Sequence, residues 1–390
     1  MTAQTCKSNH FPRSMTVIIT NNNNRNDNNR FLQREHLICR KSSKAGKTAS
    51  SSSSSSSASS AAEKVVEVNE RAKHWFTADA YYDRAETLYE MFQENQRGNF
   101  VKETKFVFDY WHVEDQYAQL RTPAKDYFDL LERSTNNNNN NNINAFEEFE
   151  RSLLKYAKER LGLSNFTPIW LSAYVDGMSQ ELHTDIPNGP LAFVFSLTKE
   201  PRAFTGGQTT IFNPERLQNY WQRFNSEEIV QREQLFIDID PIFNRLTIFD
   251  PRLPHGVREV KGTKDVSKGR IVLNGWFNEP AISCVGSLSL DDDEDVRRIL
   301  DNKLDELYEE LETLPAMIGF ASLILSISNA GLVDSIEWGC DTVVPQDALE
   351  SDDITEARDS VLSTCAGMLS ECVFPKKTDK SSICIPFQFS

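Results

Sequence analysis

The sequence predicts a mainly β protein whose core is a sandwich or jelly roll, led in by supporting helices and followed by a small α+β extension. Two observations carry this. Over residues 165–280 the apolar residues fall into eight short alternating stretches, separated by Gly, Pro, Asn and Asp turns, which is the spacing of a two-layered all-β core. Before and after that region the apolar period lengthens to i, i+3, i+4, the signature of amphipathic helices.

Residues 1–62 contain "NNNNRNDNNR" and a serine run from Ser50. Such a composition cannot bury enough apolar surface to offset ordering entropy, so a disordered low-complexity tail is expected. Its basic residues face only Asp27 and Glu35, a balance compatible with an organelle import signal, although polyasparagine favours a plain unstructured tail.

Residues 63–164 read as a helical support region. In "VVEVNERAKHWFTADAYYDRAETLYEMFQ", Ala85, Leu88, Tyr89 and Phe92 share one helical face, so helices are expected to open the folded part over about 62–96. "AKDYFDLLERS" and "AFEEFERSLLKYAKERLG" predict a second pair, separated by an Asn run at 136–142 that reads as an exposed loop far from the chemistry. Between them lies "FDYWHVEDQY", where His112 stands among Tyr110, Trp111 and Tyr117 and reads as a satisfied histidine in an aromatic core.

The eight predicted strands are "TPIWLSAYVDG", "ELHTD", "LAFVFSLTK", "GGQTTIFN", "EQLFIDIDP", "RLTIFDP", "HGVREV" and "GRIVLNGWF". The glycine pair of the fourth reads as a bulge or tight turn. "PERLQNYWQRFNSEE", near 214–228, is expected to be a helical insertion. Residues 285–390 open with an acidic amphipathic helix, "DDDEDVRRILDNKLDELYEELETL", followed by the strands "MIGFASLILSIS" and "LVDSIEWGCDTVV". This extension carries no recognisable chemistry and reads as a unit packed on the barrel or offered to a partner.

Composition narrows the function classes. Of 390 residues, 42 are basic and 57 acidic, for a formal charge of −15; nucleic-acid and anionic-membrane binders usually present a basic surface, so neither partner is expected. No apolar run approaches the roughly 20 residues that span a bilayer. The seven cysteines include no CxxC pair, and none lies between Cys39 and Cys284. Neither a disulfide framework nor a thiolate zinc site is indicated, and a reducing compartment, cytoplasm or nucleus, is the expected home.

Chemistry concentrates in "QELHTDIPNG". Positions i and i+2 of a strand project from one face, so His183 and Asp185 point the same way, as two ligands of one metal must. His255, in "FDPRLPHGV", follows a strand and a Pro-rich turn that can aim a side chain into the mouth of a barrel. Two histidines and a carboxylate form the facial triad of non-haem Fe(II) oxygenases, which leaves three coordination positions open. Arg270 begins "RIVLNGWF", whose alternation puts Arg270, Val272, Asn274 and Trp276 on one face. A buried guanidinium there needs a carboxylate, from the protein or from a ligand. Asn274 reads equally as a polar contact in a pocket or as a residue facing solvent.

The whole pattern, "YVDGMSQELHTD" then "PHGV" then "GRIVLNGWF", resembles the Fe(II)- and 2-oxoglutarate-dependent oxygenases, most closely their prolyl 4-hydroxylase-like branch. Tyr174, Gly177, His183, Asp185, His255 and Arg270 match that family's motif in order. The resemblance implies a double-stranded β-helix (jelly roll), with His183, Asp185 and His255 on Fe(II) and Arg270 on the remote carboxylate of 2-oxoglutarate. It further implies that Tyr174 assists that carboxylate and that Trp276 lines the pocket, while Gln180 stands where many prolyl hydroxylases carry an aromatic residue. O2 would be the second cosubstrate and ascorbate an accessory reductant. The expected reaction is hydroxylation of a C–H bond, prolyl or other, in a protein or peptide, with release of succinate and CO2; Asp185 fills the position that halogenating relatives leave for chloride. A peptide would need a groove beside the metal, formed by loops such as 186–190 and 258–268. A small-molecule oxygenase is the alternative within the enzyme class, and a non-catalytic metal- or dicarboxylate-binding module the alternative outside it. The long stretch "REVKGTKDVSK" between His255 and Arg270 departs from the family and leaves the substrate open.

Overall fold

The computed structural model describes residues 18–19, 74–96, 108–135, 145–214, 216, 231–346 and 351–389. Of the predicted tail, only a two-residue strand, β1 (Ile18–Ile19), falls within that range. The import-signal reading, the Asn run at 136–142 and most of the helical insertion at 214–228 lie outside the described residues.

Twelve strands make one antiparallel sheet. In chain order they are β2 (Trp75–Ala78), β3 (Asp109–Val113), β4 (Tyr117–Pro123), β5 (Leu163–Phe166), β6 (Trp170–Tyr174) and β7 (Ser179–His183). There follow β8 (Leu191–Ser196), β9 (Thr209–Phe212), β10 (Phe236–Ile239), β11 (Leu246–Phe249), β12 (His255–Val257) and β13 (Arg270–Pro280). All eight strands predicted over 165–280 are present, β6 to β13. Their order is the jelly-roll order: β6-β13-β8-β11 forms one layer and β7-β12-β9-β10 the other, so consecutive strands repeatedly cross from sheet to sheet. β4 bridges the layers by pairing with both β6 and β7, and the sheet curls around a cavity lined from both sides. This is the double-stranded β-helix.

Alternation along the strands separates two chemistries. Leu171, Phe193, Phe195, Ile271 and Leu273 turn outward to a shell of helices, α1 (Ala85–Gln96), α2 (Ala124–Thr135) and α3 (Ala145–Tyr156), and meet Leu88, Phe92, Phe128, Phe146 and Phe149 in one apolar cluster. Phe149 and Phe195 sit with ring centroids 4.7 Å apart. Each such buried side chain contributes about 1.5–3 kcal/mol of transfer free energy. The helices thus stiffen one layer from outside and leave its inner face to Ser172, Tyr174, Arg270, Val272 and Asn274.

Two expectations are corrected. Among the described residues the helical start holds for Ala85–Gln96; Trp75–Ala78 is a strand registered residue by residue on β11. Its Trp-Phe-Thr run suits a half-buried edge position, and it closes a layer that would otherwise end in β11. His112 is not in an aromatic core. It lies on β3, exposed along its whole length, and stacks on Tyr110 at 5.6 Å. β3 pairs only with β4, so half of its aromatic residues face no second layer. The glycine pair turns as expected: Gly206 and Gly207 have φ of 80° and 72°, and a Cβ on Gly206 would come within 1.8 Å of the Glu259 carbonyl oxygen.

The C-terminal part folds around its own core. β14 (Ser283–Gly286), β15 (Met317–Ile327), β16 (Val333–Asp341), β17 (Val344–Pro345) and β18 (Ser381–Phe389) form a second sheet together with β1, covered by α4 (Glu294–Leu311) and α5 (Ser351–Ser370). Leu300, Leu304 and Leu307 from α4 meet Leu323 and Leu325 from β15, Leu362 from α5 and Ile385 from β18. The predicted acidic helix and both predicted strands are present; α5 and β18 were not anticipated. No helix among the described residues is long and apolar enough to cross a membrane.

Candidate metal centre

His183 ends β7 and His255 begins β12, and the two are registered opposite each other across that strand pair. Asp185 follows His183 by two residues, its amide donating to the Pro251 carbonyl at 2.9 Å. The fold therefore brings the three sequence-predicted ligands together: one ligand atom from each lies within 4.8 Å of the others. Asp185 Oδ2 is 3.6 Å from His183 Nε2 and 3.3 Å from His255 Nε2, and the imidazole centroids are 4.4 Å apart.

The tautomers are set from behind. His183 Nδ1 donates to the Glu181 carbonyl and His255 Nδ1 to the Leu253 carbonyl, each at 2.9 Å. Both Nε2 lone pairs are thereby directed to the common point, the arrangement typical of metal-ligating histidines. Burial would raise the Asp185 pKa, but the close approach of His183 and His255 overcomes it and holds the carboxyl well below its usual range. For His183 burial acts downward, and the Asp185 and Glu181 contacts reverse it to a net upward shift. Two imidazole nitrogens and an ionised carboxylate suit Fe(II).

The other predicted residues line the same cavity of about 550 Å³. Arg270 is 2% exposed. Its Nη2 donates to Thr209 Oγ1 at 3.0 Å, its guanidinium lies 4.9 Å from the Tyr174 ring centroid, and its Nε has no partner. No carboxylate among the described residues forms an ion pair with it. Burial lowers its pKa, with Tyr174 partly offsetting. A desolvated cation with an orphaned N–H is what a dicarboxylate ligand would satisfy, so the residues present fit 2-oxoglutarate as well as the metal.

Tyr174 is registered opposite Arg270; its hydroxyl donates to Gln119 Oε1 at 2.8 Å and approaches Gln180 Oε1 at 3.3 Å. Gln180 Nε2 stands 3.1 Å from His183 Nε2, linking the Arg270 side of the cavity to the ligand cluster. Asn274 faces the cavity rather than bulk solvent, its Oδ1 accepting from Ser172 Oγ at 2.9 Å. Trp276 also lines it, its buried indole N–H without a partner.

Residues 169–278 match the family model described as the 2OG-Fe(II) oxygenase superfamily. This segment belongs to that superfamily. A curated relative, an uncharacterized PKHD-type hydroxylase of Synechocystis sp., is 27% identical over 134 residues, which are 31% of this chain and 41% of that protein. The chain thus spans about two-fifths of the length of the curated relative it matches. Among solved structures, a Pseudomonas putida prolyl-4-hydroxylase is 15% identical with a TM-score of 0.34, over 53% of this chain and 92% of that one. A prolyl hydroxylase from Trichoplax adhaerens, in complex with a hypoxia inducible factor peptide fragment, is 13% identical with a TM-score of 0.35, over 53% and 83% respectively. The fold of this oxygenase segment rests on its own strand order rather than on these likenesses.

Sequence reasoning missed the residues that the β3–β4 hairpin brings to the cavity. Arg121 is stacked between Trp111 and Trp170, its Cζ 3.2 and 3.5 Å from their ring centroids, and Gln119 meets Tyr174. The alternation of Tyr117, Gln119 and Arg121 in "YAQLR" was the available signal. Asn188 of the 186–190 loop lines the cavity, but no residue of 258–268 does; that loop packs beneath it, with Val260 against Tyr174 and Phe204. The hairpin takes the place expected for it.

Proposed function

We propose that this protein is an Fe(II)- and 2-oxoglutarate-dependent dioxygenase that hydroxylates a C–H bond of a residue, prolyl or other, in a protein or peptide, with release of succinate and CO2. The observation that carries the reading is the convergence of His183, Asp185 and His255 beside a buried guanidinium that has no carboxylate partner among the described residues. When bound with 2-oxoglutarate and O2, the iron supplies the oxidant for the substrate C–H bond.

The chain's own residues do the rest. His183, Asp185 and His255 would hold the metal through their convergent ligand atoms, a donor set that leaves coordination positions free for ligands. Arg270 takes the far carboxylate of the cosubstrate, its fork geometry matched to two oxygens, while Thr209 and Tyr174 keep the guanidinium aimed inward. Burial raises the pKa of Tyr174, so its hydroxyl remains a protonated donor. Asn274 and Trp276 wall the substrate side, and Gln180, which contacts the free Nε2 of His183, would yield that lone pair to the metal. The enclosing strands position the reactants and exclude bulk water. Ascorbate as an accessory reductant belongs to the same reading.

A peptide is favoured over a small molecule because the β3–β4 hairpin brings Trp111, 38% exposed, to the lining of the cavity. A large exposed aromatic group beside a pocket suits an extended chain. The described cysteines are all free thiols, in keeping with a reducing compartment, cytoplasm or nucleus.

The test is an anaerobic titration of the protein with Fe(II) and 2-oxoglutarate, following the visible charge-transfer band of the chelate. We expect a band in the wild type and its loss in Asp185→Ala; folded wild-type protein without a band would leave only a non-catalytic module. Peptide libraries assayed by mass spectrometry for an added oxygen then separate peptide from small-molecule substrates.

A further inference from the structure

The described residues after 285 contribute no side chain to the cavity, yet they reach the metal centre through one turn. Residues 250–254 join β11 to β12. Within this turn the Pro251 carbonyl accepts the Asp185 amide and the Leu253 carbonyl accepts Nδ1–H of His255, each at 2.9 Å; the Leu253 amide donates to the Asp250 carbonyl at 3.2 Å. One short segment thus places one ligand and sets the tautomer of another.

Arg252 is the side chain that fixes this segment. Its Nε and Nη2 grip both carboxylate oxygens of Asp250 at 2.7–3.1 Å, and its amide donates to Asp250 Oδ1 at 3.0 Å. Asp250 is 1% exposed and also meets His74 Nδ1 at 3.2 Å. The same Nη2 crosses to the C-terminal sheet and donates to the Thr342 carbonyl at 2.7 Å. Thr342 is itself anchored on β15, its amide donating to the Phe320 carbonyl at 2.8 Å and its Oγ1 accepting the Phe320 amide at 3.0 Å. Gly319 leaves room for the approach: a Cβ there would lie 2.5 Å from the Thr342 oxygen and 3.0 Å from Arg252 Nη2.

We propose that the C-terminal domain braces the metal centre, with Arg252 as the positioning residue: held on the Thr342 carbonyl, it fixes the 250–254 turn that orients His255 and Asp185. The inference rests on the reading of these residues as metal ligands. Arginine is needed because one guanidinium serves a carboxylate bidentately and a third acceptor besides. Lysine, a point charge, can neutralise Asp250 but cannot span all three.

The test compares full-length wild type, Arg252→Ala, Arg252→Lys and Lys303→Ala. Lys303 ties α4 to Glu371 at the end of α5, so its loss perturbs the C-terminal domain away from the turn. Two readouts are taken: affinity for Mn(II) as the probe metal, and amide hydrogen exchange of the segments holding Asp185 and Leu253 in metal-free protein. Arg252→Ala should weaken metal binding about 10- to 100-fold, the usual cost of losing an outer-shell partner, and should speed exchange in both segments. Arg252→Lys should fall between it and the wild type, and Lys303→Ala should change neither readout. Wild-type affinity and exchange in Arg252→Ala overturn the proposal; should that variant not fold, unchanged exchange in Arg252→Lys does so. A wild type that binds no Mn(II) removes the metal centre itself, and the exchange contrast still decides whether the brace exists.

Discussion

Replacing Arg270 by methionine should stabilise the ligand-free protein and weaken 2-oxoglutarate binding, two effects of opposite sign from one substitution. In the ligand-free state the guanidinium is almost fully buried, makes one hydrogen bond to a neutral hydroxyl and leaves its Nε unsatisfied. Burying an ion costs several kcal/mol, and exchanging buried charges for apolar groups of similar volume is neutral or stabilising by about 1–4 kcal/mol. Loss of the Thr209 hydrogen bond subtracts about 1 kcal/mol, leaving a net gain of up to about 3 kcal/mol. At roughly 2–4 °C per kcal/mol for a domain of about 150–250 residues, Tm should rise by several degrees. Removing the partner of a desolvated carboxylate costs about 2–5 kcal/mol of binding, so the 2-oxoglutarate Kd should rise about 30-fold to several thousandfold. Thermal unfolding of the metal-free proteins gives the first quantity, and calorimetric titration of Mn(II)-loaded protein with 2-oxoglutarate the second. A destabilised Arg270→Met with unchanged 2-oxoglutarate affinity would show that the charge serves the fold rather than a ligand.

His183→Ala or His255→Ala should abolish Fe(II) retention while leaving the fold intact, because each removes one of three ligands from an otherwise complete sheet; metal analysis after desalting checks this, and full occupancy in either variant would refute the triad. The Asp250 cluster predicts acid lability. Burial pushes the Asp250 pKa up, but hydrogen bonds from His74 and Arg252 bring it down to about 2. Since the folded value lies below the unfolded one, the stabilisation is fully present above pH ~4 and is lost as pH falls toward 2. The drop from 3.8 to about 2 is worth about 2 kcal/mol. Asp250→Asn should therefore cost about that much in neutral-pH denaturant unfolding, with the difference from wild type closing in acid.

The metal ligands were legible because their information is local and ordered: His183 and Asp185 share a strand face by the two-residue period, and His255 follows a turn that the Pro-rich segment announces. The eight barrel strands were legible for the same reason, since the alternating stretches stand out between turn residues even where the strand formed is three or four residues long. The β3–β4 hairpin was not, because "DYWHV" has the aromatic density of a core segment, and only the absence of a covering layer, a tertiary fact, turns Tyr110 and His112 outward. Trp75–Ala78 failed similarly: a neighbouring helical pattern ran past a boundary that pairing with β11 sets. Arg252 gave no signal at all, because its partner Thr342 is 90 residues away.

Buried charges in this protein divide by how they are satisfied, and the division separates scaffold from site. At the junction of the two cores, Asp250 is gripped by Arg252 and His74; close by, Asp341 is paired with Arg358, both side chains almost fully buried. These charges are compensated within the chain, and breaking one partner strands the other. Inside the barrel the pattern is different: Arg270 has no carboxylate partner among the described residues, and Asp185 meets two histidines whose Nε2 atoms crowd around it rather than capping it. A fold selected for stability alone would have filled those positions with apolar residues or paired them. Leaving a cation and a convergent donor set incomplete in one cavity has a cost that only a bound dicarboxylate and metal cation would remove, and this is why stability and ligand affinity should move in opposite directions when Arg270 is replaced.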